Sequence, residues 1–571
     1  FRFNLSTYVV RDNLMALVDT KVTDTNTATL VNYSETTLVG RNAERLDTVS
    51  IRTKTGIKPP VNQAFPPTLF NQPEVSVEAL KQLNVTLDET TYLTIGGGLG
   101  SFAWVNHLVI YGVKPNNITA IGFEKQPYGR YKRLCHNSQI PDNERLRSDS
   151  GSTPDNIWGW PGYAVREIWQ DLQQGNLPHA AYLTWQIFTE PLFTSPFTPK
   201  AGQVYDSIDK EAKRISWDKI WRFGRVRAIR KTDDGRYAVA YSQSSHGQRI
   251  HKIMIASYLH LAVGYSGFRF LPDLQAYREE TRDFKHVVNA YETHDHVYKQ
   301  LRKQGGTVLI RGRGIVASRI IQRLYEERQR NNQIKILHLM RSPKPAGAQY
   351  GQNQRVVEHH FEYQPYNFPK AAFSGDLRKV LANSEELDRK ALLATWGGTT
   401  TANRKDWRQI IETGINEGWY QIRFGQVKQV EACESGQLTT IIEDERVFNE
   451  SIHLTTDFII DATGLDADLE NNPLLKNVLV AYELERNSLG RLKVTPDFEI
   501  EGLRNGNGQV YACGAITLGG AYAPVDSFIG LQYAAQRSVN RLTHKKASGL
   551  KPLKTNRSIA QWIRWARGVK P

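Results

Sequence analysis

Residues 92–124 read YLTIGGGLGSFAWVNHLVIYGVKPNNITAIGFE, and this stretch decides the fold. Tyr92–Ile95 has the aromatic and β-branched makeup of a strand. A glycine-rich turn follows, then an amphipathic helix, then a second strand that ends on Glu124 with Lys125 beside it. Gly96, Gly98 and Ser101 occupy the three places of G-x-G-x-x-G, and Gly100 fills the turn. The first glycine permits a tight turn, and the second lets a pyrophosphate approach the backbone. The helix behind the turn offers unpaired N–H groups and its positive dipole end to phosphates. A carboxylate at the tip of the second strand is placed to bind the ribose hydroxyls of an adenosine. The pattern predicts a dinucleotide site made by Gly96, Gly98, Gly100, Ser101, Glu124 and Lys125. Serine in the third place departs from the Gly or Ala that close helix–strand packing favours.

A second glycine loop lies further along the chain. Thr307–Ile310 reads as a strand, Gly312-Arg313-Gly314-Ile315-Val316-Ala317-Ser318 as the turn, and SRIIQRLYEERQ as the helix. The next strand, Ile334–Leu339, runs into Arg341-Ser342 and not into an acid. An acid there repels a 2′-phosphate, whereas an arginine pairs with it. Gly312, Gly314, Ala317, Ser318, Arg341 and Ser342 are therefore read as a site for NADPH in preference to NADH.

The segments around these loops support them. RVRAIRKTDDGRYAVAYSQ carries an Asp-Asp-Gly turn between alternating runs, a hairpin signal. HKIMIASYLHLAVGY then returns to a parallel sheet and ends at Gly264. A second apolar strand, FIIDATGL, ends in the same style at Gly464. The closing piece, QVYACGAITLGGAYAPVDSFIGLQYAAQRSV, gives a strand, a close-approach turn at Gly514 and a helix over Ser527–Arg541. Asp526 reads as the cap of that helix, whose N-terminus would face a flavin carbonyl. Prolines, glycines and tryptophans crowd Trp158–Tyr163, which makes this a loop and Trp160 a candidate flavin neighbour.

The 571 residues exceed one ordinary core, so several domains are expected. The divisions are an N-terminal extension (1–88), a first part of an FAD domain (89–300), an NADPH domain (301–455) with an insertion (343–420), a second part of the FAD domain (456–545) and a basic tail (546–571). The extension has short β-like pieces at Thr29–Val31 and Thr48–Arg52 and a proline-marked end, and no chemistry is read from it. The insertion is a lid or substrate wall.

The net charge of +15 favours acidic partners, yet no Lys/Arg block is dense enough for nucleic acid. The tail reads as a short amphipathic basic helix that packs on the body or lies on a peripheral membrane surface or an acidic protein. Cys135, Cys433 and Cys513 are far apart, which excludes a disulfide framework, a C-x-x-C pair and a cysteine zinc site, and fits the cytoplasm. No signal peptide is visible, and no run of about 18 apolar residues spans a bilayer. His294-Asp295-His296 lacks a third ligand, so no metal is expected.

With these landmarks, Tyr92–Leu542 resembles the flavoprotein monooxygenases that carry two dinucleotide-binding domains. These include the flavin-containing monooxygenases, the Baeyer–Villiger monooxygenases, the amino-acid N-hydroxylases and, more distantly, the single-component flavin-dependent halogenases. The resemblance rests on IGGGLGSFAW, RGRGIVAS with Arg341, the paired LAVGY and DATGL strand ends, and YACGAITLGG, in that family's order. It implies an α/β fold of two Rossmann-like domains, for FAD and NADPH, with a β-meander and a small β-rich extension. It also implies a monooxygenase that uses dioxygen and a flavin C4a-(hydro)peroxide on a small organic substrate. Two departures stand out. Phe284, His286, His294 and Tyr298 only echo the family's Phe/Gly/His fingerprint, and Ala515 stands where an acid usually binds the ribityl chain. A flavin-dependent reductase or dehydrogenase that passes electrons to a partner or quinone is the first alternative, and a non-catalytic FAD/NADPH-binding scaffold the second. No catalytic acid or base is legible.

Overall fold

The structure is a computed structural model that describes residues 65–146, 162–190, 193–194, 197–245, 248–350, 353–364, 376–398, 400–443 and 451–571. Trp160, Trp158 and the β-like pieces at Thr29–Val31 and Thr48–Arg52 lie outside those residues.

The first sheet is built on β1 (Thr86–Ile95). α1 (Leu99–Ile110) connects it to β2 (Ile118–Gly122), and the two strands pair in parallel, as a β–turn–α–β unit requires. α1 is not amphipathic: every residue from Gly100 to Ile110 is buried. The sheet covers one side of it and a later helix the other, so it reads as apolar all round. Among the helices beyond β2, α2 (Gly162–Gln173) and α3 (Leu177–Thr189) pack on each other.

A meander follows: β3 (Arg225–Thr232), β4 (Tyr237–Ser245) and β5 (Gln248–Leu261), antiparallel to one another. The third meander strand and the apolar return strand are one element. β5 pairs with β4 over 248–256, and with β1 in parallel along most of its length. Residues Phe65–Leu83 pack under this meander, and Glu74–Val75 adds a parallel strand beside β3.

The second sheet is wholly parallel, which is typical of strands covered by helices on both faces. It contains β6 (Gly306–Arg311), then α4 (Ile315–Arg328) and β7 (Ile334–Met340), with β8 (Tyr420–Phe424) and β9 (Phe458–Asp461) on the two sides. Val287–Asn289 closes the β9 edge. The 343–420 segment folds onto this sheet through Phe361, Tyr363 and Trp407, which share its core.

The chain then returns to the first sheet. β10 (Gln509–Ala512) pairs in parallel with residues 258–261 of β5, taking the edge that β4 has left. α5 (Phe528–His544) lies over α1, and α6 (Thr555–Ala566) docks on the body by burying Gln561 and Trp565. The architecture is α/β with two parallel, Rossmann-like sheets and a meander.

Candidate cofactor cleft

Both glycine turns have the same backbone. Gly96 has φ +119° and Gly312 φ +112°, a region that side chains rarely adopt. A Cβ on Gly96 would collide with the Ala262 carbonyl, and one on Gly312 with the Ala462 carbonyl. Each turn thus rests on the strand end paired with it, LAVGY under the first and DATGL under the second. Gly98 (φ −87°, ψ −170°) and Gly314 (φ −86°, ψ −169°) cap α1 and α4. Neither dihedral pair needs a glycine, and a Cβ on either residue would meet nothing within 4 Å. Protein packing therefore does not explain these two glycines. Each leaves open space against a helix N-terminus, where backbone amides and the helix dipole favour an anion.

The serine in the third place has a job. Ser101 is buried and donates from Oγ to the Gly96 carbonyl at 2.7 Å, while accepting from Thr94 Oγ1 at 2.9 Å. Thr94 in turn faces His260 Nδ1 at 3.0 Å, which the network assigns as the donor. Burial lowers the His260 pKa to about 3, so the ring is neutral. The second turn is held more directly: His338 Nε2 donates to the Gly312 carbonyl, and His338 Nδ1 accepts from Tyr420 Oη at 2.7 Å. Burial lowers His338 to about 4. In the third place of this turn Ala317 is buried.

A cleft of about 830 Å3 opens in front of the first turn. Gly96, Gly98, Gly100, Glu124, Gly264, Gly514 and Asp526 line it, and Ser318 joins them from α4 with Ile315 and Arg319. The N-terminal turn of α4 thus meets the same space as the first glycine turn. Glu124 is held by Arg133 at 2.5 Å. Lys125 is exposed and is not a lining residue; its carbonyl accepts from Trp217 Nε1 at 2.8 Å. Gly312, Gly314, Arg341, Ser342 and Gly464 stand outside the wall, on the second sheet's side. There Arg313 donates to the Ser342 carbonyl at 3.0 Å. Burial, with Arg341 nearby, lowers the Arg313 pKa below the usual guanidinium value. Arg341 itself is exposed at the end of β7.

Asp526 is not the cap of α5. Ser527 takes that position and accepts from the Gly530 N–H at 3.1 Å. Asp526, one residue earlier, is left to accept from the Tyr265 hydroxyl at the cleft wall. Burial and then the Asp526 charge raise the Tyr265 pKa, so the phenol keeps its proton.

Several wall residues were not read from the sequence. Arg130 lines the cleft and donates to the Tyr265 carbonyl at 2.7 Å. Glu144 bridges the two halves, receiving Arg319 of α4 at 2.8 Å and Arg404 of the 343–420 segment at 3.2 Å. The run KQPYGRYKR after Glu124 was a usable signal for Arg130 and Arg133. No local pattern marks Arg319, Arg404 or Glu144. The His294 and His296 pair is used internally: His294 bonds the Glu292 carbonyl and Tyr298, and His296 the Lys285 carbonyl. Among the described residues no cluster of His, Cys, Asp and Glu suits a metal ion.

No protein-family model matches the chain, and no curated protein matches it in sequence. Solved structures do share its architecture. The reduced form of an ornithine hydroxylase from Pseudomonas aeruginosa aligns with TM-score 0.56 at 14% identity, over 80% of this chain and 99% of that one. The Kutzneria sp. 744 ornithine N-hydroxylase, in a structure with reduced FAD, NADP+ and L-ornithine, gives 0.58 at 12% identity over 80% and 100%. The FAD-bound cadaverine monooxygenase of desferrioxamine biosynthesis from Erwinia amylovora gives 0.55 at 14% identity over 81% and 96%. The fold is that of the N-hydroxylating flavoprotein monooxygenases. At these identities the likeness speaks to the fold, and the chemistry must be argued from the cleft itself.

Proposed function

We propose that this chain is an FAD- and NADPH-dependent monooxygenase acting on a small organic substrate with dioxygen. The observation that carries the reading is the shared cleft: the turn that opens at Gly98 and the first residues of the helix that opens at Gly314 border one space. The residues fit both coenzymes. Two glycine-capped helix N-termini without side-chain caps leave amides and room for two pyrophosphates. Gly264 and Gly514 open into the same cleft with only the tips of Arg130 and Leu531 near their Cβ positions.

When bound, the pair supplies hydride transfer from nicotinamide to flavin and activation of dioxygen by the reduced flavin. The chain's own residues bind and orient. The amides of Leu99 and Gly100 would hold the FAD phosphates, and Glu124, fixed by Arg133, would accept from the adenosine ribose. The α4 amides and Ser318 would hold NADPH, with Arg341 and Arg313 pairing with its 2′-phosphate. Asp526, released from capping and held by Tyr265, supplies the carboxylate that Ala515 lacks. Thr401 and Arg404 bring the 343–420 segment to the cleft as the substrate wall. The Glu144 bridge to Arg319 and Arg404 ties the halves together at the cleft.

The structurally similar proteins act on ornithine or cadaverine by their names, so primary aliphatic amines are the first substrates to test. Purified holoprotein should consume oxygen and NADPH together and yield an oxygenated product by mass spectrometry. NADPH oxidation with an added quinone as acceptor and no oxygenated product from any amine would replace this reading with that of a reductase.

A further inference from the structure

The segment between Arg145 and Lys200 leaves the cleft rim and returns to it. Its two ends pair as an antiparallel bridge, and Arg145 and Leu146 line the cleft. The helices it carries, α2 and α3, and the turn after α3 show large apolar side chains to the outside. Trp169 is 62% exposed, Trp185 59%, Phe188 81% and Phe193 80%, with Leu172 and Leu177 beside them. Exposed apolar surface on this scale marks a contact face.

Between Gly162 and Thr189 no acid is exposed. The two carboxylates between Gly162 and Thr189, Glu167 and Asp171, are both buried and paired with Arg145 and His179. Beside it lies α6: the Arg166 guanidinium of α2 sits over the Trp565 ring at 5.9 Å. Lys545–Lys570 holds eight lysines and arginines and no acid, and α6 exposes Ile559 and Ile563 between its cations. Trp, Phe and Leu next to unopposed positive charge match an anionic lipid surface, which takes apolar side chains at its interface and attracts the cations. A second copy of this chain fits less well, because a two-fold contact would bring two such tails to one rim. Among the described residues no helix is long and apolar enough to cross a membrane.

We propose that the α2–α3 face together with α6 is a peripheral docking surface for an anionic bilayer, with the cleft rim held beside it. The inference is independent of the chemistry in the cleft. The test is co-sedimentation of the full chain with phosphatidylcholine/phosphatidylglycerol vesicles and with phosphatidylcholine alone. The protein should sediment with the anionic vesicles and be released as salt rises from about 0.05 M to about 0.5 M. Trp185→Ser/Phe188→Ser, both exposed, should lower the vesicle partition roughly tenfold with the melting temperature unchanged. Arg564→Gln/Arg567→Gln should remove most of the salt-sensitive part. No sedimentation with anionic vesicles, or equal sedimentation by Trp185→Ser/Phe188→Ser, overturns the proposal. So does a concentration-dependent dimer in analytical ultracentrifugation that the same substitutions abolish, since the face would then belong to a second copy.

Discussion

The two glycine turns are near copies in backbone and differ in everything that surrounds it. Gly96 and Gly312, Gly98 and Gly314 agree to within a few degrees, and each turn rests on an alanine carbonyl. Yet the first turn is latched by a relay from His260 through Thr94 and Ser101, and the second by His338 alone. The strand after the first turn runs out to Glu124, whereas the second turn carries Arg313 and the strand after it runs out to Arg341. The common part is what any dinucleotide needs: amides, dipole and room. Under the proposed function the divergent part tells one coenzyme from the other, through charge at the strand ends.

The sharpest way to separate the turns is to fill one and spare the other. A Cβ at residue 98 meets no protein atom within 4 Å and the backbone is allowed, so Gly98→Val should fold, but FAD retention should drop by roughly a hundredfold or more. Gly314→Val should stay yellow and lose reduction by NADPH to the same degree. If both variants lose FAD equally, the assignment of one turn to each coenzyme fails.

Next in size is the strand-end charge. Arg341→Ser should raise the KM for NADPH about tenfold and leave that for NADH within about twofold, as loss of a charge-assisted contact of about 1.5 kcal/mol predicts. Steady-state kinetics with both nucleotides read this directly.

The latches should also differ. His338→Phe strands the Gly312 carbonyl and the Tyr420 hydroxyl, at a cost of about 2–3 kcal/mol in unfolding free energy. Ser101→Ala imports the residue type of the second turn and should cost about 1 kcal/mol, leaving FAD affinity nearly unchanged. Denaturant melts of the two variants settle the order.

A dependence on pH runs through both turns. His260, His338 and the buried His107 have pKa values lowered to about 3, 4 and 4 by burial. The unfolded chain takes up protons that the folded one refuses, so their contribution is full above the ordinary pKa of 6.5. It is lost progressively as pH falls from 6.5 toward 4. The melting temperature should fall by several degrees over that window, and less in His338→Gln, which keeps a donor without a titrating ring.

What was legible in the sequence was periodic or tied to a turn. The glycine loops, the paired LAVGY and DATGL ends and their order gave the two sheets, because these elements are specified by neighbours in the chain. Where tertiary contacts decide, the reading slipped. α1 looked amphipathic until α5 covered its outer face. Asp526 looked like a cap although Ser527 beside it meets the Gly530 amide. Lys125 follows the strand end, but Arg133, a helical turn and more along, reaches the Glu124 carboxylate. His260, Arg319 and Arg404 come from separate elements, and only the fold brings them to the turns and the cleft. Ser101 was visible as a departure from the fingerprint, but its reason, a hydrogen bond to the Gly96 carbonyl, belongs to three dimensions.

The central claim is that hydride donor and acceptor meet in one cleft, with the phosphorylated nucleotide preferred. Anaerobic stopped-flow mixing of FAD-loaded protein with NADPH or NADH tests it most directly. Full bleaching of the flavin band by one equivalent of NADPH, with NADH needing roughly tenfold more for the same rate, is the predicted result. A flavin that neither nucleotide bleaches, or that both bleach equally well, would contradict it.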